Sequence, residues 1–140
     1  MRDRSAVLLL GLIAVAQAVF LYFNTLSQAN QAVARLANLA VMLGQQEGSG
    51  LSMQQQHTLI VLADSDVLWL SKLPLCIFPR EVSRAFDVAK ATFAEPRRRY
   101  ARIYGEVPKY VSELERSAYL KSWRETQVLL ERAEAEAKGR

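Results

Sequence analysis

Residues 5–23, SAVLLLGLIAVAQAVFLYF, carry no charge and only Gln17 as a strong polar interruption. At about 1.5 Å rise per residue such a run makes a helix about 29 Å long, close to the hydrocarbon thickness of a bilayer. It must cross a membrane, be cleaved as a leader, or be wrapped by the rest of a 140-residue chain. The flanks select among these. Arg2 and Arg4 precede the run, and the next basic residue is Arg35. Positive charge on the N-terminal side places that end in the cytoplasm and the bulk of the chain across the membrane, in a bacterial envelope the periplasm. Cleavage is the rival: Arg2 and Arg4 supply an n-region, residues 7–16 an h-region, and Ala16-Gln17-Ala18 a small-x-small site. The apolar run continues past that site through Val19, Phe20, Leu21, Tyr22 and Phe23, which cleavage would leave as a sticky new terminus. Tyr22 and Phe23 also sit where interfacial aromatics belong. An uncleaved, single-pass anchor is the expectation.

Beyond residue 23 the chain turns polar while its helical period persists. Leu26, Ala29, Val33, Leu36, Ala40 and Leu43 alternate spacings of three and four, a coiled-coil-like seam. Traced backwards, the same frame passes through Tyr22, Val19, Val15, Leu12 and Leu8. One helix over about residues 5–43 therefore runs from span into stalk. Its seam packs either on the chain's own later helices or on a second copy. Gly11, Ala14 and Ala18 offer a small-residue face that would assist a pair of membrane helices.

Gly44 to Gly50 reads as a turn, and Ser52 with Gln55 has capping-box spacing, so a second helix starts there and runs towards Leu73. Residues 59–70 are apolar on nearly all sides but too short for a second span, which predicts a core helix with Trp69 buried. Pro74 and Pro79 stiffen the apolar connector that follows, and Cys76 within it reads as a small buried residue. Val82, Ala85, Phe86, Ala89 and Phe93 form the next amphipathic stripe, with Phe86 in the core. Pro96 is expected to break or kink that helix before the basic segment 97–104, which Gly105 closes. A last helix from about Pro108 to Lys138 carries Val107, Val111, Leu114 and Ala118, then Leu120, Trp123 and Leu130 on a shifted face. The fold class is thus all-α. Residues 1–23 form a short cytoplasmic end and transmembrane anchor, 24–47 a helical stalk, and 48–140 a small helical extracytoplasmic domain.

Chemistry is poorly supplied. A single cysteine excludes an intramolecular disulfide, and a single histidine, His57, excludes a multi-histidine metal centre within one chain. His57 follows Gln54-Gln55-Gln56 and reads as a solvated side chain. Asp64 and Asp66 point about 200° apart on a helix and cannot share a ligand, so one is expected in water and the other paired with Arg84 or Arg98. No Gly-rich phosphate loop, CxxC pair or nucleophile–base set occurs, so the chain reads as a non-enzyme without cofactor or metal. The most distinctive surface feature is the cluster Arg97, Arg98, Arg99 and Arg102 with Tyr100 and Tyr104. It reads as a basic ridge that docks an acidic partner or anionic lipid headgroups, its tyrosines turned inward. Nucleic acid is not expected as the partner across a membrane.

The function expected is that of a membrane-anchored structural or scaffolding subunit of a cell-envelope complex. It would act by helix packing and a basic docking face, with lipid and other envelope proteins, or a second copy, as partners. The alternative is a single-partner binding, immunity or exclusion, or sensor module at the membrane.

Overall fold

The computed structural model describes residues 2–45, 50–106 and 112–139, with side chains from residue 4 onward. Among them are four α-helices and one short 3-10 turn, with no strand. Helix α1 spans Arg2–Gly44, α2 Met53–Ser71, α3 Arg80–Tyr104 and α4 Glu113–Lys138. The 3-10 turn, Leu75–Ile77, lies between α2 and α3.

α1 is two environments on one unbroken helix. Its N-terminal half is long and apolar enough to cross a membrane, and no part of that apolar window is buried in protein. Val7, Leu8, Leu12, Val15, Val19 and Phe20 all lie bare. From Ala29 onward the helix becomes the inner column of the domain: Ala29, Ala32, Val33, Leu36, Leu39, Ala40 and Leu43 are buried. The seam expected to run from the span into a stalk is therefore covered from Ala29 by the chain's own α2 and α3, in one core with Ile60, Val67, Leu70, Phe86 and Phe93. Leu26 packs half-buried at its edge. Alanine on α1 lets the flanking helices approach closely, while the phenylalanines of α3 supply the larger buried area.

α2 begins as its sequence dictates. Ser52 Oγ accepts from the Gln55 amide at 3.2 Å, and Gln55 Oε1 accepts from the Ser52 amide at 2.8 Å, closing a capping box. α2 runs antiparallel to the second half of α1, and Arg35 on α1 pairs with Asp66 on α2 through Nε–Oδ2 at 2.7 Å. The 3-10 turn then meets the start of the domain, where Tyr22 Oη donates to the Ile77 carbonyl at 3.1 Å. α3 returns along α1 until Arg99 Nη2 donates to the Leu43 carbonyl at 2.6 Å, satisfying one of the orphan acceptors at the end of α1.

Several expectations need correction. Pro96 does not break α3; the helix continues through it to Gly105, whose φ of 84° ends it. The hydrogen bond that Pro96 removes would have gone to Thr92, an exposed residue where water reaches. Trp69 is 37% exposed and not a core residue, whereas Phe86 is buried. Cys76 is exposed. The expected helix start at Pro108 and the stripe residues Val107 and Val111 lie outside the described residues, as does most of the 44–50 turn. α4 is capped by Ser112, whose Oγ accepts from the Glu115 amide. Its first turns do not pack: Leu114 is 92% exposed and Ala118 is exposed. Contact begins near Tyr119 and deepens at Trp123, Thr126 and Leu130.

Candidate functional site

Most of the buried polar side chains of the domain gather where α2, α3 and α4 meet. On α2 the residues Ile60, Ala63, Asp64, Val67 and Leu70 share the buried face, so Asp64 is a carboxylate aimed at the core. On α3 the stripe Val82, Phe86, Ala89, Phe93 continues through Arg97 to Tyr100. The two charges meet. Arg97 is 1% exposed and holds Asp64 with two bonds, Nε–Oδ1 at 2.9 Å and Nη2–Oδ2 at 3.1 Å. Its remaining donors reach α4: Nη1 to Gln127 Oε1 at 2.7 Å and Nη2 to the Trp123 carbonyl at 2.9 Å. The guanidinium also lies over the Trp123 ring, 3.6 Å from its centroid. One planar group thus ties α2, α3 and α4 together, with bidentate and stacking geometry that only arginine provides.

Burial pushes the Asp64 carboxyl up to about 6, against the opposing attraction of Arg97. Both Asp64 oxygens accept from Arg97. No buried side-chain nitrogen or oxygen among the described residues lacks a partner. A row of rings continues from Trp123. Tyr119 stacks on Trp123 at 6.2 Å between centroids, His57 follows at 5.7 Å, Tyr100 at 6.1 Å from His57, and Tyr104 at 5.0 Å from Tyr100. His57 is therefore buried between tyrosines and not solvated, with Tyr119 Oη 3.5 Å from its Nδ1. Desolvation lowers its pKa below the usual imidazole value. Asp64 and Asp66 diverge around α2 as helical geometry requires, but neither faces open water. Both are buried, and their partners are Arg97 and Arg35 instead of Arg84 or Arg98.

The four arginines expected on one ridge are divided by the fold. Arg97 is interior. Arg98 pairs with Glu95 at 2.6 Å and with Glu134 of α4. Arg99 caps α1. Arg102 stays largely in solvent, 3.8 Å from Glu95. Tyr100 is buried as expected, and the Tyr104 ring lies tilted beside it at the surface. The outward arginines at this end are Arg102 and the half-exposed Arg98 and Arg99, with Arg98 and Arg102 already facing the carboxylates of Glu95 and Glu134. Among the described residues no three His, Cys, Asp or Glu side chains gather in a metal-binding group. The buried network joins α2, α3 and α4 through paired charges. Comparison with family models, with curated proteins and with solved structures finds no match to this chain.

Proposed function

We propose that this protein is a membrane-tethered scaffold subunit of a cell-envelope complex. The span would sit in the inner membrane, with the N-terminus in the cytoplasm and the helical domain in the periplasm. One observation carries the reading: the apolar half of α1 and the inner column of the domain are a single helix with no joint between them. A domain built on such a helix moves with its span as one body, which suits holding partners in register. The flanking charge supports the orientation. Arg4 lies on the N-terminal side, while Arg35, the first basic residue beyond the apolar run, is already neutralised by Asp66. Partner contact would use the outward arginines of α3, Arg98, Arg99 and Arg102, a partner's carboxylates exchanging with Glu95 and Glu134, while Arg97 stays in the core.

The test is affinity purification of the full chain from solubilised membranes. An acidic envelope protein co-eluting in fixed ratio, released by raised salt and lost on R98Q/R102Q substitution, is the expected result. A protein that elutes alone from native membranes, or an R98Q/R102Q variant retaining every partner at parental yield, overturns the reading.

A further inference from the structure

We propose that the connector between α2 and α3, residues 72–79, is a second point of contact with the bilayer, lying in the interfacial layer beside the span. The inference rests on residues 5–23 being the span. The Tyr22 hydroxyl, at the end of that apolar run, donates to the Ile77 carbonyl at 3.1 Å, and the Tyr22 and Phe78 rings lie 5.6 Å apart. Whatever depth Tyr22 takes, the connector shares it to within a side chain's reach.

The connector's chemistry suits that depth. Between Lys72 and Arg80 the chain reads Leu-Pro-Leu-Cys-Ile-Phe-Pro, without a charge. Ile77 is 56% exposed, Cys76 is exposed, and the indole of Trp69 lies partly bare one turn before. Left in water, these side chains would make an apolar tip with nothing to cover it. Most of its backbone amides are bonded within the connector and the end of α2. The amides of Lys72, Leu73, Leu75, Ile77 and Phe78 donate to the carbonyls of Trp69, Leu70, Leu73, Pro74 and Leu75, and Pro74 and Pro79 have no N–H to satisfy. Lys72 and Arg80, both exposed at the two ends of this apolar stretch, are placed to reach lipid phosphates while their stems lie along the acyl boundary. The protein then grips the membrane at two points, which fixes the rotation of the domain about the span as well as its height.

Cys76 is the chain's one cysteine and allows a direct test. The full chain is labelled there with an environment-sensitive fluorophore and reconstituted into phosphatidylcholine/phosphatidylglycerol vesicles. Parallel samples carry the label at C76S/L12C and C76S/R102C. The expected result is quenching of the Cys76 label by lipids bearing a nitroxide near the headgroup, with protection from aqueous iodide, while the R102C label is quenched by iodide. I77E should raise iodide quenching at Cys76 without shifting thermal unfolding, because the Ile77 side chain lies mostly outside the fold. If the Cys76 label is as open to iodide as the R102C label while the L12C label is shielded, the span stands and the connector proposal is overturned. The connector proposal falls equally if I77E changes nothing, since the fluorophore itself is then what seeks the lipid. An L12C label open to iodide removes the span and the connector contact together.

Discussion

Replacing Arg97 with methionine is the sharpest perturbation of the domain. The substitution keeps an unbranched stem of similar reach and removes the charge. Four hydrogen bonds disappear at once: two to Asp64, one to Gln127 and one to the Trp123 carbonyl, together with the stack on the indole. Most of the cost comes from Asp64, which without its cation either stays ionised in the interior or takes up a proton there, and breaking a buried pair in this way costs about 3–5 kcal/mol. The lost acceptor partners overlap with that figure and do not add to it. A domain of this size has about 5–15 kcal/mol in total, so a third or more of its stability should vanish. Urea unfolding of the full chain in detergent, followed by far-UV circular dichroism, reads the change. The parent curve should shift to markedly lower denaturant in R97M. In the double variant D64L/R97M, the stranded charge is gone and two apolar side chains remain, so at least about 2 kcal/mol should return. An R97M protein within about 1 kcal/mol of the parent would refute the reasoning. A double variant as unstable as the single would show that lost packing, not a stranded charge, sets the cost.

Two further outcomes follow from the same geometry. Because burial raises the Asp64 pKa to about 6 from an unfolded value near 3.8, the folded state binds the extra proton between those values. The Asp64 contribution to stability should therefore fall as pH rises from about 4 to about 6 and level off above; D64N should flatten that slope, and an unchanged pH profile would contradict it. His57 acts in the opposite sense, since its lowered pKa makes stability rise with pH up to about 6.5, so the profile is read as a difference between parent and D64N. Finally, F86A should lower stability by about 3–5 kcal/mol, whereas W69A, at a partly exposed site, should cost well under half of that in urea unfolding.

The parts of this fold legible in the sequence are those that depend on neighbours a turn or two away. The Ser52–Gln55 box, the continuous helix through residues 26–43 and Gly105 as a stop are visible in the sequence, because local backbone chemistry decides them. The buried charge junction depends on which helix faces which, and Pro96 conceals it. Taking Pro96 as a break restarts the register of the basic segment and turns Arg97 outward. Carried straight through, the stripe Val82, Phe86, Ala89, Phe93 lands on Arg97 and Tyr100. Asp64 holds a matching signal, for it shares the face of Ile60, Ala63 and Val67, and a carboxylate on a core face requires a buried cation. His57, Cys76 and Leu114 carry no such pattern. His57 is enclosed by tyrosines from two other helices, Cys76 is turned out by a 3-10 turn, and Leu114 lies on a stretch of α4 that extends beyond its contacts. The Arg98–Glu134 pair and the Arg99 cap on Leu43 likewise join residues far apart in the chain.

The central claim is that one unbroken helix is both the membrane segment and the inner column of the domain. Leu12 and Val41 are both exposed on α1, one on the apolar half and one on the domain half. Nitroxides at L12C and V41C in a C76S background, with the protein in lipid nanodiscs, report the distance between them by pulsed electron paramagnetic resonance. A continuous helix places them about 44 Å apart in a single narrow distribution. A broad distribution, or one centred well below that length, would mean that the helix breaks at the membrane surface and that the domain is not rigidly carried by its span.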